Sequence, residues 1–157
     1  MTSHKVVWSE GMFLNPQHFQ QQDRYFHHAL QEMHWQSAAF RTGFSELALD
    51  RDLLRQGKFA VTRARGILPD GTVFSVPQAD PQPPVIEIAD KTRNTVVYLA
   101  LPLYRAGGQN YAHDDTGQVA RFAIEQATVL DDVTASGEQN IVEVAQSNLQ
   151  LVLDSQD

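Results

Sequence analysis

Cysteine is absent from the 157-residue sequence, and this absence excludes several kinds of chemistry. Without a thiol, the chain cannot form disulfides, use a thiolate nucleophile or bind a metal through sulfur, and a reducing compartment is its natural setting. The sequence also lacks any apolar run near the roughly 20 residues that a transmembrane helix needs, so we expect no membrane insertion. The N-terminus, MTSHKVVWSEGM, has neither the apolar core nor the cleavage site of a secretory signal. These absences predict a cytoplasmic protein.

Positive charge is scarce in the second half of the chain. The formal net charge is -7; residues 1–66 carry 8 Lys and Arg against 6 Asp and Glu, whereas residues 67–157 carry 4 against 13. An acidic surface repels phosphates, so nucleic acid is not expected as a partner unless the basic positions act alone. Those positions are Lys58, Arg63 and Arg65. Arginines that alternate along a strand more often form its solvated face.

The motifs of common enzyme classes are missing as well. The sequence has no nucleophile elbow, no phosphate-binding loop and no dinucleotide-binding glycine pattern. The His-Asp-Asp triplet at 113–115 could offer metal ligands, but adjacent side chains point in different directions. Helical zinc sites use histidines four residues apart, and no such pair occurs among His18, His27, His28 and His34. We therefore predict no catalytic residue, no metal and no cofactor.

The clearest local signal is a helix start within the letters LNPQHF. Asn15 is suited to cap the first free amides, and Pro16 has a φ angle already set for the first helical position. Leu14 and Phe19 have the spacing of a hydrophobic staple. Apolar side chains then recur at helical spacing, at Phe19, Phe26, Leu30 and Met33. Polar side chains lie opposite, at Gln20, Gln21, Arg24 and Gln31. The pattern predicts one long N-terminal helix over about 16–36.

Strand-like runs follow this helix. KFAVTRARGIL and PDGTVFSV are joined by Pro69, Asp70 and Gly71, a turn combination that predicts a hairpin. The segment PQADPQPPVIEI has four prolines and predicts a surface connection. NTVVYLALPLY, residues 94–104, is apolar on both faces and predicts a central strand covered on both sides, with regular pairing stopping at Pro102.

Three more strand-like runs lie near the C-terminus, in VARFAIEQATVL, IVEVA and NLQLVLD. Strands do not alternate with helices along this chain, so a parallel sheet with crossover helices is not indicated. The whole pattern predicts a mainly β fold, α+β by content, with an antiparallel β-sandwich or barrel that carries one long N-terminal helix.

Several of these segments together resemble a known family. The stretch WSEGMFLNPQHFQQQDRYF is similar to the N-terminal signature of the TssK family, also called ImpJ or VasE, of type VI secretion baseplate subunits in Gram-negative bacteria. The most specific part of this signature comprises Leu14, Pro16, Gln17, His18, Phe19 and Gln20. In the family's order, DRDLL, LPDGT, ADPQPPV, ALPLYRAGG and VAQSNLQL follow. The resemblance extends over essentially the whole chain.

The resemblance implies a structural role without catalysis. It implies that residues 1–157 are a single N-terminal shoulder domain, an antiparallel β-sandwich like the shoulder of phage receptor-binding proteins, without the family's helical neck and C-terminal head. It implies a cytoplasmic adaptor that docks onto the TssF/TssG wedge and helps to link the baseplate to the membrane complex. The full-length protein would form a homotrimer and would contact TssL and TssM only through the missing C-terminal part.

The segment before the helix carries apolar side chains that helix initiation does not require. Aromatic residues and methionine are favoured at the cores of protein interfaces. The residues that we predict as contacts to a neighbouring chain are Trp8, Met12, Phe13 and His18. The alternative is burial within their own domain. Trp35 and Phe40 could equally belong to the core, to a trimer interface or to a neck contact.

Two other functional classes stay open from the residues alone. The first is a carbohydrate- or ligand-binding β-sandwich, in which the loop GGQNYAHDD would supply polar and stacking groups from Asn110, Tyr111, His113 and Asp114. A panel of sugars and metals would reveal it. The second is a hydrolase assembled from distant Ser, His and Asp residues, which would turn over generic esters.

Overall fold

The computed structural model of the chain describes residues 4–37, 42–113, 119–130 and 139–154, with side chains for all of these except 34–37. The helices and strands within these ranges are α1 (Pro16–Ser37), β1 (Gly43–Leu49), α2 (Arg51–Arg55), β2 (Lys58–Phe59), β3 (Val61–Ile67), β4 (Val73–Val76), β5 (Ile86–Glu87), β6 (Val97–Ala100), β7 (Tyr111–Ala112), β8 (Phe122–Leu130), β9 (Gln139–Ser147) and β10 (Gln150–Leu153). None of the described helices is both long enough and apolar enough to cross a membrane. The long helix predicted over about 16–36 is present.

The strands pair in small sheets. Their orders are β1-β3-β4, β2-β5, β6-β10 and β7-β8-β9. β2 with β5, β6 with β10 and β8 with β9 are antiparallel, whereas the short β7 runs parallel to β8. The chain divides into two compact units, one made of Met1–Phe44 with Gly66–Val73 and the other of Ser45–Arg65 with Phe74–Asp157.

The start of α1 is closed by a reciprocal pair of hydrogen bonds. The His18 N–H donates to the Asn15 carbonyl at 2.9 Å, and the Asn15 N–H donates to His18 Nδ1 at 3.0 Å. The side chain at the third helical position thus reaches back to the capping residue, as Glu or Gln does in a capping box. His18 therefore has a structural role at the helix start.

The predicted hairpin turn lies between β3 and β4. Leu68 N–H donates to the Thr72 carbonyl at 2.9 Å, and the Asp70 carboxylate accepts from Thr72 N–H at 3.0 Å. Gly71 has a φ of 83°, a conformation in which a side chain would be strained. The turn chemistry read from Pro69, Asp70 and Gly71 thus matches the structure.

The core of the larger unit is small and mainly aliphatic. Among the described residues, its buried apolar side chains are Ala60, Val61, Ala64, Phe74, Val76, Ala112, Ala120, Leu149 and Leu151. On β4, Phe74 and Val76 are two residues apart and so share one face of the strand. The same period explains why Leu149 and Leu151 are buried while Val152 is exposed.

The prediction of a doubly covered central strand over 94–104 is wrong. Among the described strands, β6 pairs only with β10, with Tyr98 opposite Val152. Both side chains of that pair are about half exposed. An apolar run on both faces is compatible with cover from the chain itself or from another chain, and the run alone does not say which. Strand β6 does end before Pro102, as expected for a residue without an amide donor.

The proline-rich connection after β4 carries no strand until β5, as predicted, but parts of it are buried. Asp80 is buried, and its carboxylate accepts from the Ser75 N–H at 2.9 Å while its own N–H donates to the Ser75 carbonyl at 3.0 Å. Pro83 is buried as well. The connection is therefore tied to the end of β4, and only part of it is surface.

Candidate protein interaction surface

Helix α1 turns its apolar side towards solvent. The four residues of its apolar stripe are 54% to 67% exposed, and we call this surface the α1 face: Phe19, Phe26, Leu30 and Met33. At about 100° per residue these positions fall within an arc of roughly 60° around the helix axis. The stripe of an amphipathic helix ordinarily faces the core of its own domain. Here more than half of each of these side chains stays exposed within the described chain.

The polar side of α1 is what holds the helix in its unit. Gln21 Nε2 donates to the His4 carbonyl at 2.7 Å, and Arg24 donates through Nε and Nη2 to Gln21 Oε1 at 3.1 and 2.9 Å. About two turns after Arg24, Gln31 Nε2 donates to the Asp70 carbonyl at 2.7 Å. Side-chain amides therefore anchor α1, which leaves the apolar stripe available.

Trp8, His18 and Phe19 form an aromatic cluster at the N-terminal end of the α1 face. The Trp8 ring lies 6.3 Å from the His18 ring and 6.0 Å from the Phe19 ring, tilted by 42° and 54°. Tilted rings at this separation attract each other through their quadrupoles. Trp8 nevertheless stays half exposed, so the cluster extends the α1 face beyond the helix.

Met12 and Phe13 lie in the turn that precedes α1. Ser9 N–H donates to Met12 Sδ and Met12 N–H donates to the Ser9 carbonyl, both at 3.4 Å, and Gly11 allows the reversal with a φ of 79°. Met12 is thereby folded back on its own turn. Phe13 is 91% exposed, the most exposed aromatic side chain among the described residues.

The other residues of the predicted family motif lie at the surface. Leu14, Pro16, Gln17 and Gln20 are all exposed. Leu14 and Phe19, the pair predicted as a staple, are both more than half exposed. The motif therefore combines residues that build the helix start with residues that are open to contact.

A groove of about 360 Å³ lies beside Trp8 in the same unit, lined by Lys5, Val6, Val7, Trp8 and Gln22. The Oε1 atom of Gln22 is buried and has no hydrogen-bond partner within the described part of the chain. A buried amide oxygen left unpaired is costly.

The sequence predicts the apolar stripe but not what covers it. Phe26, Leu30 and Met33 belong to the helix pattern, and no pattern marks Gln22. No signal in the letters distinguishes a stripe that packs on its own domain from one that awaits another chain, because both have the same period. Phe40 and the Trp35 side chain lie outside the described residues.

In the loop considered for a small ligand, the Asn110 side chain is used in hydrogen bonds to the backbone of the loop itself. Asn110 is buried, accepts from the Arg105 N–H at 2.7 Å and donates to the carbonyls of Arg105 and Gly108 at 2.8 and 3.1 Å. Tyr111 stacks on Phe122 with ring centroids 5.1 Å apart. His113 is exposed, and Asp114 lies outside the described residues. The Asn110 amide is thus engaged with backbone groups.

Among the described residues, no cluster of three His, Asp or Glu side chains suits a metal ion.

An exposed apolar helix face on a mainly β domain is typical of the class of proteins that bind other chains. A family model described as bacterial type VI secretion, VC_A0110, EvfL, ImpJ, VasE matches residues 18–157. The chain belongs to this family, and the resemblance inferred from its motifs is confirmed.

Individual relatives agree with this assignment. The chain is 45% identical over 134 residues to the type VI secretion system baseplate component TssK1 of Pseudomonas aeruginosa, an alignment that covers 85% of this chain and 30% of that protein. A crystal structure of TssK superposes with a TM-score of 0.87 at 37% identity, covering 99% of this chain and 35% of the other. The TssK-TssF-TssG baseplate subcomplex seen by cryo-electron microscopy contains a chain that matches with a TM-score of 0.86 at 31% identity, covering 100% of this chain and 53% of that one.

These matches confirm the predicted fold class, a β-sandwich-like domain with one long N-terminal helix. The chain spans about a third of the length of the first relatives that it matches.

Proposed function

We propose that this chain is the shoulder part of a type VI secretion baseplate adaptor and that it docks onto a wedge of the TssF/TssG kind. Family membership and the similarity to TssK chains, one of them in a complex with TssF and TssG, support the proposal. The observation that carries it is the α1 face, with four large apolar side chains 54% to 67% exposed on a helix anchored from its polar side.

Burial of the α1 face against a partner would contribute substantially to the free energy of binding. Burying a Leu, Met or Phe side chain contributes about 1.5 to 3 kcal/mol, so the remaining exposed parts of four such residues offer several kcal/mol of gross stabilisation. Association opposes this with the loss of translational and rotational freedom. The aromatic cluster around Trp8 and the exposed Phe13 add further apolar area next to the face. Trp8, Met12, Phe13 and His18 are accordingly included in the proposed contact surface.

The proposed role is structural throughout. No reaction, metal or cofactor is part of it, and the cytoplasm is its compartment. Residues 1–157 act as one shoulder domain of a longer adaptor that works as a homotrimer. That adaptor's neck and head, which lie outside these residues, make the contacts with TssL and TssM. Nucleic acid and direct membrane insertion are not part of the proposal.

Co-purification tests the docking role. The chain is co-expressed with TssF and TssG, and the mixture is analysed by size exclusion with light scattering to count copies. We expect a complex that contains the chain in multiples of three. A folded chain that elutes apart from TssF and TssG, both alone and within the full-length adaptor, would overturn the proposal.

A matched pair of variants locates the contact. Leu30→Ser removes an apolar side chain from the α1 face, whereas Leu103→Ser makes the same change at an exposed position outside it. We expect Leu30→Ser to weaken the complex about tenfold or more, since 1.4 kcal/mol corresponds to a factor of ten. Leu103→Ser should leave the affinity unchanged. Equal effects of the two changes would contradict the assignment of α1 as the contact surface.

A further inference from the structure

A second exposed element lies far from α1 in sequence. Strands β8 and β9 pair over nine residues, from Phe122 opposite Ser147 to Leu130 opposite Gln139. The short β7 accompanies only the first two residues of β8. Among the described strands, the rest of this ribbon therefore has two strands only, and we call it the β8–β9 arm (124–130 with 139–145).

The arm is apolar on both of its faces. Paired residues of an antiparallel ribbon share a face, so Leu130 and Ile141 lie on one side while Val129 and Val142 lie on the other. These four side chains are 39% to 69% exposed. A two-stranded ribbon is only marginally stable by itself in water. The arm thus has the composition of a strand pair that gains its stability from a third strand.

The outer side of β9 offers a position for that strand along the full length of the arm. In the described sheet, β9 is the last strand, with β8 as its neighbour. Natural edge strands are commonly protected by lysine or proline. The β9 sequence, QNIVEVAQS, contains neither and has Glu143 as its one charged residue. Such an edge is a template on which an extended segment can add by backbone hydrogen bonds.

Charge indicates what kind of segment adds there. Between Phe122 and Ser147 the sequence has no Lys, Arg or His, and its acidic residues are Glu125, Asp131, Asp132, Glu138 and Glu143. A second copy of β9 fits poorly, because full antiparallel self-pairing would centre on Glu143 and place that carboxylate opposite its own copy. Like charges directly opposite each other are destabilising in a sheet.

We infer that the β9 edge binds an extended segment of another protein in which basic side chains alternate with apolar ones. Glu143 shares a face with Ile141, and lysine or arginine in that segment would lie near Glu143 on this face. Its apolar side chains would lie on the other face, beside Val142. This inference uses no residue of the α1 face and does not depend on the proposed function.

The first test uses a synthetic probe. A nine-residue peptide of alternating lysine and valine, matched to the nine residues of β9, is titrated into the 157-residue chain, with a glutamate-valine peptide for comparison. Binding is read by fluorescence polarisation and located by hydrogen exchange. We expect the lysine peptide to bind about tenfold or more tightly than the glutamate peptide, a difference of about 1.4 kcal/mol. We also expect it to slow exchange of β9 amides.

A charge swap separates a defined site from general attraction to an acidic protein. The variant Glu143→Lys should reverse the preference in favour of the glutamate peptide. Glu87→Lys makes the same change of net charge at an exposed position outside the arm and should leave the preference as it was.

Four results would overturn the inference. They are failure of the lysine peptide to bind the folded chain, protection outside β9, equal reversal by the control variant, and undiminished binding of a backbone N-methylated peptide. The last result would exclude strand addition because N-methylation removes the donors that pair with an edge.

Discussion

Helix α1 and strand β4 carry similar apolar residues and bury them to opposite extents. On β4, Phe74 is 2% exposed and Val76 is fully buried, whereas on α1 Phe26 is 56% exposed and Leu30 is 65% exposed. The two elements differ in what contacts the rest of their own unit. Phe74 and Val76 form a buried apolar face on β4, whereas the hydrogen bonds that tie α1 to its unit come from Gln21 and Gln31. Apolar periodicity therefore identifies a face that will be covered, but not the molecule that covers it.

The largest expected effect on stability is at Phe74, the buried phenylalanine of β4. Phe74→Ala should lower the free energy of unfolding by about 3 to 5 kcal/mol, because it removes a buried ring and leaves a cavity. Urea denaturation followed by circular dichroism measures this loss. A reduction of less than about 1 kcal/mol, the average for point mutations in general, would mean that β4 is not the core that its burial indicates.

An intermediate effect is expected at the helix start. His18→Ala removes the acceptor for the Asn15 N–H and should destabilise α1 by about 1 kcal/mol, the typical value of a capping interaction. Hydrogen exchange in the first turns of α1 measures the change. His18→Glu supplies the acceptor of an ordinary capping box and should restore protection. If both variants behave alike, the histidine does not act through this hydrogen bond.

The smallest effect on stability is expected on the α1 face itself. Phe26→Ala should change the free energy of unfolding by no more than about 0.5 kcal/mol, as is usual for surface substitutions. The measurement is the same urea titration as for Phe74→Ala, which makes the two phenylalanines a direct pair. A loss comparable to that of Phe74→Ala would show that the α1 face packs within the isolated chain, and the comparison between the two elements would fail.

Local chemistry explains which parts of the fold could be predicted. The helix start follows from Asn15 and Pro16. The turn follows from Pro69, Asp70 and Gly71, and Gly71 has the positive φ that glycine readily adopts. Both preferences depend on a few neighbouring residues. Each of these predictions needed only short-range energies.

Predictions that depend on contacts between residues far apart in the sequence were less accurate. The run at 94–104 has the composition of a doubly covered strand, yet Tyr98 is half exposed. Asp80 lies in a connection expected at the surface and is instead buried, because its carboxylate and N–H both bond to the Ser75 backbone. In both cases the outcome depends on which surface the rest of the chain offers, and no local pattern encodes that.

The amino-acid sequence by itself determined where α1 begins, where the β3–β4 turn lies and to which family the chain belongs. Only the tertiary structure decided that α1 turns Phe19, Phe26, Leu30 and Met33 outward and is anchored by Gln21 and Gln31. The physical reason is that capping and turn preferences are energies of adjacent residues. Burial is a property of two surfaces, and the second surface comes from elsewhere in the chain or from another protein.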